Sequence, residues 1–213
     1  MKPGQQLGVC HAGDAEIEPQ QIGVHMGRDG GEAMGEALLK SLASEGTRRL
    51  GVRTLLELGG NNAVIVHADA DVAQAVESVL FGATGTAGQR CTSTRRIIVH
   101  RSVKDELVRR LITAYEGVRI GNPLEDSTLM GPLLNHDSVN AFVAAREKVV
   151  AEGGEILYGG AVLGGDDYPG GRYVQPCIAS AENHFEIVQD ETFAPILYIL
   201  EYGSADASPS EAI

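Results

Sequence analysis

Three segments of this sequence set residues capable of chemistry beside residues that let a backbone approach a ligand closely. The first is Leu56-Glu57-Leu58-Gly59-Gly60-Asn61-Asn62. Glu57 offers a carboxylate base, and the paired glycines carry no Cβ to hold a ligand away from the main chain. The same residues also suit a strand or turn end with an exposed glutamate. The second is Gly85-Thr86-Ala87-Gly88-Gln89-Arg90-Cys91-Thr92. Cys91 is a nucleophile candidate among small polar neighbours, with Arg90 adjacent, unlike the apolar setting of a packed thiol. A nearby cation favours the thiolate and the end of a preceding helix opposes it, so the residues alone leave its reactivity open. The third is Gln189-Asp190-Glu191-Thr192-Phe193-Ala194-Pro195. An acidic residue two positions before an aromatic suits a ligand contact, and equally a polar loop entering a strand.

The elements that must hold these segments follow from hydrophobic period. Ala63 to His67 reads as a short apolar strand. Asp69 or Asp71 then opens a helix with Val72, Ala75, Val76, Val79, Leu80 and Ala83 on one face. The cysteine segment lies between that helix and a strand over Arg96 to His100, where α/β folds carry working loops. Ser102 is expected to cap the next helix with Asp105 three residues on, above a stripe of Val103, Leu107, Val108, Leu111, Ile112 and Tyr115. A third helix follows Asp137, with Val139, Phe142, Val143, Arg146, Val149 and Val150 on one face and a left-handed stop at Gly153-Gly154. Strands are expected over 155–158, 173–179 and 196–202, with a glycine-rich surface loop over 159–171. This alternation predicts an α/β fold, layered, with a largely parallel sheet and flanking helices. Upstream, residues 32–44 suit a short helix. Residues 1–30, rich in Gly, Gln and His, show neither helical nor strand period and read as poorly ordered.

Bulk properties exclude several classes. A formal charge of −12 argues against a nucleic-acid face, which needs clustered Lys and Arg. No apolar run approaches the roughly 20 residues that cross a bilayer, and the first residues lack the apolar core of a secretory signal. Cys10, Cys91 and Cys177, odd in number and far apart, make no disulfide framework and suit a reducing cytoplasm. The nearest approach to metal-ligand spacing is Cys10-His11 with His25, which matches no usual ligand pattern, so no metal is expected.

Taken together, and in this order, Glu-Leu-Gly-Gly, Gly-Gln-Arg-Cys and Glu-Thr-Phe-Ala-Pro resemble the aldehyde dehydrogenase superfamily over roughly Thr54 to Tyr202. Within it, Leu-Gly-Gly-Asn-Asn-Ala and Gly-Thr-Ala-Gly-Gln-Arg-Cys-Thr resemble the antiquitin branch, the α-aminoadipic semialdehyde dehydrogenases of lysine breakdown. The resemblance implies NAD- or NADP-dependent oxidation of an aldehyde to a carboxylate, through a cysteine thiohemiacetal and a thioester. It makes Cys91 the nucleophile, Glu57 the base that activates water, and the Cys91 amide half of an oxyanion hole. It gives Glu191 a hydrogen bond to the nicotinamide ribose, Phe193 a place beside the nicotinamide, and Leu58 and Gly59 a place in the cofactor site. Arg90 takes the substrate's distal carboxylate, which a guanidinium fork suits.

The chain also departs from that family. Family members run much longer, the Phe-Thr-Gly-Ser turn is absent, and no Gly-x-Gly occurs anywhere. Nothing in 1–53 matches the surroundings of the Asn that completes the oxyanion hole. The C-terminal glycine-rich segment and oligomerisation strand are expected beyond Ile213. The expected organisation is therefore a poorly matched segment and linker over 1–53, then a catalytic domain over 54–213 that is incomplete at its end. Most of the cofactor would be bound by a domain outside the chain, so the chain alone is expected to be incompetent and its parent a homo-oligomer. Two other readings stand beside the enzyme. One is a truncated, non-catalytic α/β module that binds a full-length partner or is inactive. The other is an independent thiol hydrolase or acyltransferase using Cys91, which lacks a suitably placed His.

Overall fold

The structure, a computed structural model, describes residues 21–26, 35–40, 53–58 and 60–203. Its centre is a five-stranded sheet. In chain order the strands are β3 (Asn62–Val66), β4 (Thr94–His100), β5 (Glu155–Tyr158), β8 (Cys177–Ala181) and β9 (Ile196–Tyr202), in the spatial order β3-β4-β9-β8-β5. The pairings β3–β4, β4–β9 and β8–β9 are parallel, and only the edge pair β5–β8 is antiparallel. The fold is thus the layered α/β arrangement with a largely parallel sheet.

Strand alternation divides the core in two. From β4 and β9, Ile97, Val99, Leu197 and Ile199 face one side, where α1 (Val72–Thr84) contributes Val76, Val79 and Ala83, and α2 (Arg101–Glu116) contributes Leu107, Leu111 and Tyr115. Ile98, Ile196, Tyr198 and Leu200 face the other, against Val139, Phe142, Ala145 and Val149 of α3 (His136–Ala151). A sheet buried on both faces explains why its inner strands read as nearly continuous apolar runs.

The helix boundaries refine the sequence reading. Asp71 caps α1, its carboxylate accepting from the Ala73 and Gln74 amides. The α2 cap is not Ser102 but His100, whose ring nitrogen accepts from the Ser102 amide. Asn135 caps α3. Beyond α3, the Gly154 amide donates to Val149 O and the Gly153 amide to Val150 O, with Gly153 at φ 105°, which is the paired-bond left-handed stop expected there. Val150 points outward at 51% exposure, while Ala145 takes the inner position.

Other expectations need correcting. Residues 173–179 are not one strand: Pro176, without an N–H to donate, separates β7 (Tyr173–Val174) from β8. The loop over 159–171 contains a short strand, β6 (Val162–Leu163), paired antiparallel with β7. A four-residue helix, α4 (Glu186–Gln189), precedes the third segment. Within 1–30, where no strand was expected, β1 (Gln21–Met26) pairs in parallel with β2 (Arg53–Leu58). Ile22, Val24 and Met26 do alternate, but Gly23 within the stretch and Gly27 after it weaken the strand signal. The helix expected over 32–44 is present at 35–40. The rest of 1–30, including Cys10 and His11, lies outside the described residues. Strand β2 begins at Arg53, beside the boundary expected at 53/54.

Candidate active site

Cys91 sits at the corner of a turn that leads into β4. The Ser93 amide donates to Arg90 O at 3.1 Å, and Ser93 Oγ accepts from the Arg90 amide at 3.2 Å. The thiol-bearing residue is exposed, in contrast to Cys177, which is fully buried in β8. Before the turn, α1 ends in a 3₁₀ segment, Gly85–Gly88, in which Thr86, Ala87 and Gly88 all have left-handed backbones at φ 56°, 52° and 69°. Two of these are not glycine and carry the steric cost of that region. The third must be glycine, since a Cβ there would lie 2.5 Å from the carbonyl oxygen of Ala194.

That close approach joins the cysteine segment to the Glu191 segment, and a buried ion pair reinforces it. Arg95 Nη2 lies 2.8 Å from Glu191 Oε1, with side-chain exposures of 3% and 1%. Arg95 also donates to the carbonyls of Gly88 and Arg90, each at 3.0 Å, and its guanidinium stacks 5.1 Å from the centre of the Phe193 ring. A buried cation thereby has a carboxylate, two carbonyls and an aromatic face as partners, which is the condition for burying it at all.

The Glu57 segment reaches the same place. Asn62 Nδ2 donates to the carbonyls of Cys91 and Ser93, the latter at 3.0 Å. Asn61 Nδ2 donates to Val188 O at 2.7 Å, just before the Glu191 segment. A Cβ on Gly60 would stand 3.5 Å from Cys91 O, so this connection runs in contact with the nucleophile turn. All three segments therefore converge at the amino ends of β3, β4 and β9, three neighbours in the sheet.

Glu57 and Leu58 are the last two residues of β2, with Glu57 in register with His25. Their side chains, and the whole of Gly59, lie outside the described residues. Arg90 is held by its own turn: Nε donates to Thr86 Oγ1 at 2.8 Å, and the guanidinium lies 5.2 Å from the centre of the exposed Phe81 ring. Gln89, between the left-handed segment and Arg90, accepts from the Leu134 amide at 2.8 Å and so ties the turn to the start of α3.

Sequence reasoning missed Asn61, Asn62 and Arg95. A signal existed for the last. Arg95-Arg96 heads an otherwise apolar strand, and alternation must turn one of two adjacent arginines inward, where it needs partners. Burial of Cys177 pushes its thiol up to about 12, against a smaller opposing pull from Arg146.

Among the described residues no helix is long and apolar enough to cross a membrane, and no group of three or more His, Cys, Asp or Glu could hold a metal ion.

Comparison with known proteins identifies the family. The family model "Aldehyde dehydrogenase family" matches residues 25–211. Alpha-aminoadipic semialdehyde dehydrogenase of Bos taurus is 49% identical over 155 residues, covering 72% of this chain and 28% of that protein. Aldehyde dehydrogenase family 7 member B4 of Arabidopsis thaliana is 42% identical over 191 residues, covering 82% and 37% respectively. Betaine aldehyde dehydrogenase from Staphylococcus aureus, solved in complex with NAD+, superposes with a TM-score of 0.77 at 28% identity, over 90% of this chain and 36% of that one. The chain thus spans about a third of the length of the proteins it matches. Three motifs brought together at one end of the sheet, and a family match over nearly the whole chain, place the protein in the aldehyde dehydrogenase family, in its antiquitin branch.

Proposed function

We propose that this chain carries the acyl-transfer half of an NAD- or NADP-dependent oxidation of a semialdehyde to a carboxylate. The observation that carries the reading is the convergence of the three segments on Cys91, through Asn62 from one side and Arg95 with Glu191 from the other. Cys91 Sγ, as thiolate, attacks the aldehyde carbon, and the Cys91 amide stabilises the oxyanion that forms. A nicotinamide cofactor, when bound, supplies the hydride acceptor that turns the thiohemiacetal into a thioester. Glu57 takes a proton from water, the hydroxide adds to the thioester carbon, and the Cys91 thiolate leaves, releasing the carboxylate. Arg90 binds the distal carboxylate of the substrate, a role that fits a guanidinium held at the mouth of the turn by Thr86 and Phe81.

For the cofactor, Phe193 fits as a half-buried ring with one face on Arg95. Leu58 and Gly59 are assigned to the same cofactor site by the family resemblance alone. Glu191 fits as the ribose acceptor only if its carboxylate comes out of the pair with Arg95, where it is now buried.

The roles of Cys91 and Glu57 can be separated without cofactor. With p-nitrophenyl acetate, the chain should release a burst of nitrophenolate and then turn over slowly. Cys91→Ala should abolish the burst. Glu57→Gln should keep the burst but let the acetyl thioester accumulate on Cys91, visible by mass spectrometry. A burst that survives Cys91→Ala would overturn the assignment.

A further inference from the structure

The peptide groups on either side of Cys91 are each held by a side chain of a neighbouring strand, Arg95 of β4 and Asn62 of β3. The Arg90 carbonyl, which belongs to the Arg90–Cys91 peptide, accepts from Arg95 Nη2 at 3.0 Å and from the Ser93 amide at 3.1 Å. The Cys91 carbonyl, on the next peptide, accepts from Asn62 Nδ2. In a planar trans peptide the C=O and N–H point in opposite directions. A carbonyl of Arg90 drawn onto a buried guanidinium therefore turns the Cys91 N–H away from that guanidinium, on a residue that is itself exposed. Donation to that carbonyl also polarises the peptide and strengthens the N–H as a donor.

We propose that Arg95 is a positioning residue that aims the Cys91 amide as an oxyanion donor, with Glu191 as the counter-ion that keeps the guanidinium buried. It touches neither substrate nor reacting atoms. Its fork has the shape this role requires. Nη1 reaches Gly88 O, Nη2 reaches Arg90 O and Glu191 Oε1, and Nε reaches the same Glu191 oxygen at 3.3 Å. A lysine, with one compact ammonium, could not hold the two carbonyls and the carboxylate in this plane. The carboxylate of the third segment thus has a function in the nucleophile turn itself. The inference rests on Cys91 being the nucleophile proposed above.

The test compares two reactions of Cys91 that differ in their need for an oxyanion donor. Alkylation by iodoacetamide forms an S–C bond as iodide leaves, with no oxyanion. Acylation by p-nitrophenyl acetate passes through a tetrahedral oxyanion, then expels p-nitrophenolate and leaves an acetyl thioester. Both rates are read at Cys91 by mass spectrometry in three proteins: the wild type, Arg95→Lys, and the double variant Arg95→Met with Glu191→Gln. The double variant leaves no buried charge unpaired, so it is expected to fold, which circular dichroism checks. The ratio of acylation to alkylation should fall about tenfold or more in both altered proteins, since removing an oxyanion donor outright costs a hundredfold or more. A role confined to folding, or to the charge state of the thiol, moves both rates together. If the ratio stays within about twofold in a folded variant while Cys91 remains reactive, the positioning role is wrong and the nucleophile reading stands. If Cys91 of the wild type reacts with neither reagent ahead of Cys177, the nucleophile reading itself fails. Should the double variant not fold, Arg95→Lys, which keeps the buried charge, decides by the same ratio.

Discussion

At the scale of single residues, the two described cysteines show how environment decides chemistry. Cys177 is inside the sheet with its thiol raised to about 12, while Cys91 stands exposed on a polar turn. At pH 8, sub-stoichiometric iodoacetamide should modify Cys91 faster than Cys177 by about a hundredfold or more, since only the thiolate attacks. Peptide mapping gives the ratio, and equal labelling would remove the basis for a site at Cys91. Gly88 makes the second point. Its φ of 69° and the 2.5 Å from a would-be Cβ to Ala194 O leave no direction in which a methyl group fits, because the obstacle is backbone. Gly88→Ala should therefore cost about 2–4 kcal/mol, read from urea unfolding, where a change below about 1 kcal/mol would show that the two loops separate freely.

At the scale of elements, tertiary packing outweighs local signals. Helix α3 has both a cap and a buried stripe, so the two can be compared in one place. Asn135 Oδ1 accepts from the Ser138 amide at 2.8 Å, and losing such a cap costs about 1 kcal/mol. Phe142 is fully buried between α3 and the sheet, and its truncation leaves a cavity worth about 3–5 kcal/mol. Phe142→Ala should thus lower the unfolding free energy several-fold more than Asn135→Ala, and the reverse order would mean that the layer on that face is loosely packed. The same hierarchy explains the misplaced cap of α2. Ser102 has the right chemistry, but β4 continues to His100 and the helix starts at Arg101, so the residue at the junction does the capping.

At the scale of the whole molecule, the site lies at the amino ends of β3, β4 and β9, whereas open parallel sheets usually bind ligands at the carboxyl ends. The segment that enters β3 does come from a strand's carboxyl end, since β2 closes with Glu57 and Leu58 and β3 begins at Asn62. Hydride transfer needs substrate and nicotinamide in near contact, held from both sides. In this chain the residues assigned to the cofactor are few: Leu58, Gly59, Glu191 and Phe193. The purified chain should therefore form no NADH or NADPH from α-aminoadipic semialdehyde above the rate of Cys91→Ala, followed by absorbance. Turnover that disappears in Cys91→Ala would show that a sufficient cofactor site is present after all.

What the sequence determined by itself is whatever depends on neighbours a few positions apart. The stripes of α1, α2 and α3 and the runs at 155–158 and 196–202 repeat with the period of a helix or a strand, so they could be read locally. The three motifs were legible for the same reason, each being a contiguous string. Pro176 carried a local signal too, as a residue that cannot donate inside a paired strand, but the reading of one strand over 173–179 passed over it. The partners of those strings were not. Nothing near Arg95 says which of two adjacent arginines turns inward, because the answer lies with Glu191, 96 positions later in the chain. Nothing near Asn62 says that its amide will hold the carbonyl of Cys91, 29 positions away. Burial in the sheet makes each such pairing obligatory, since a guanidinium removed from water must find its carboxylate. Only the closed tertiary structure brings the two within reach.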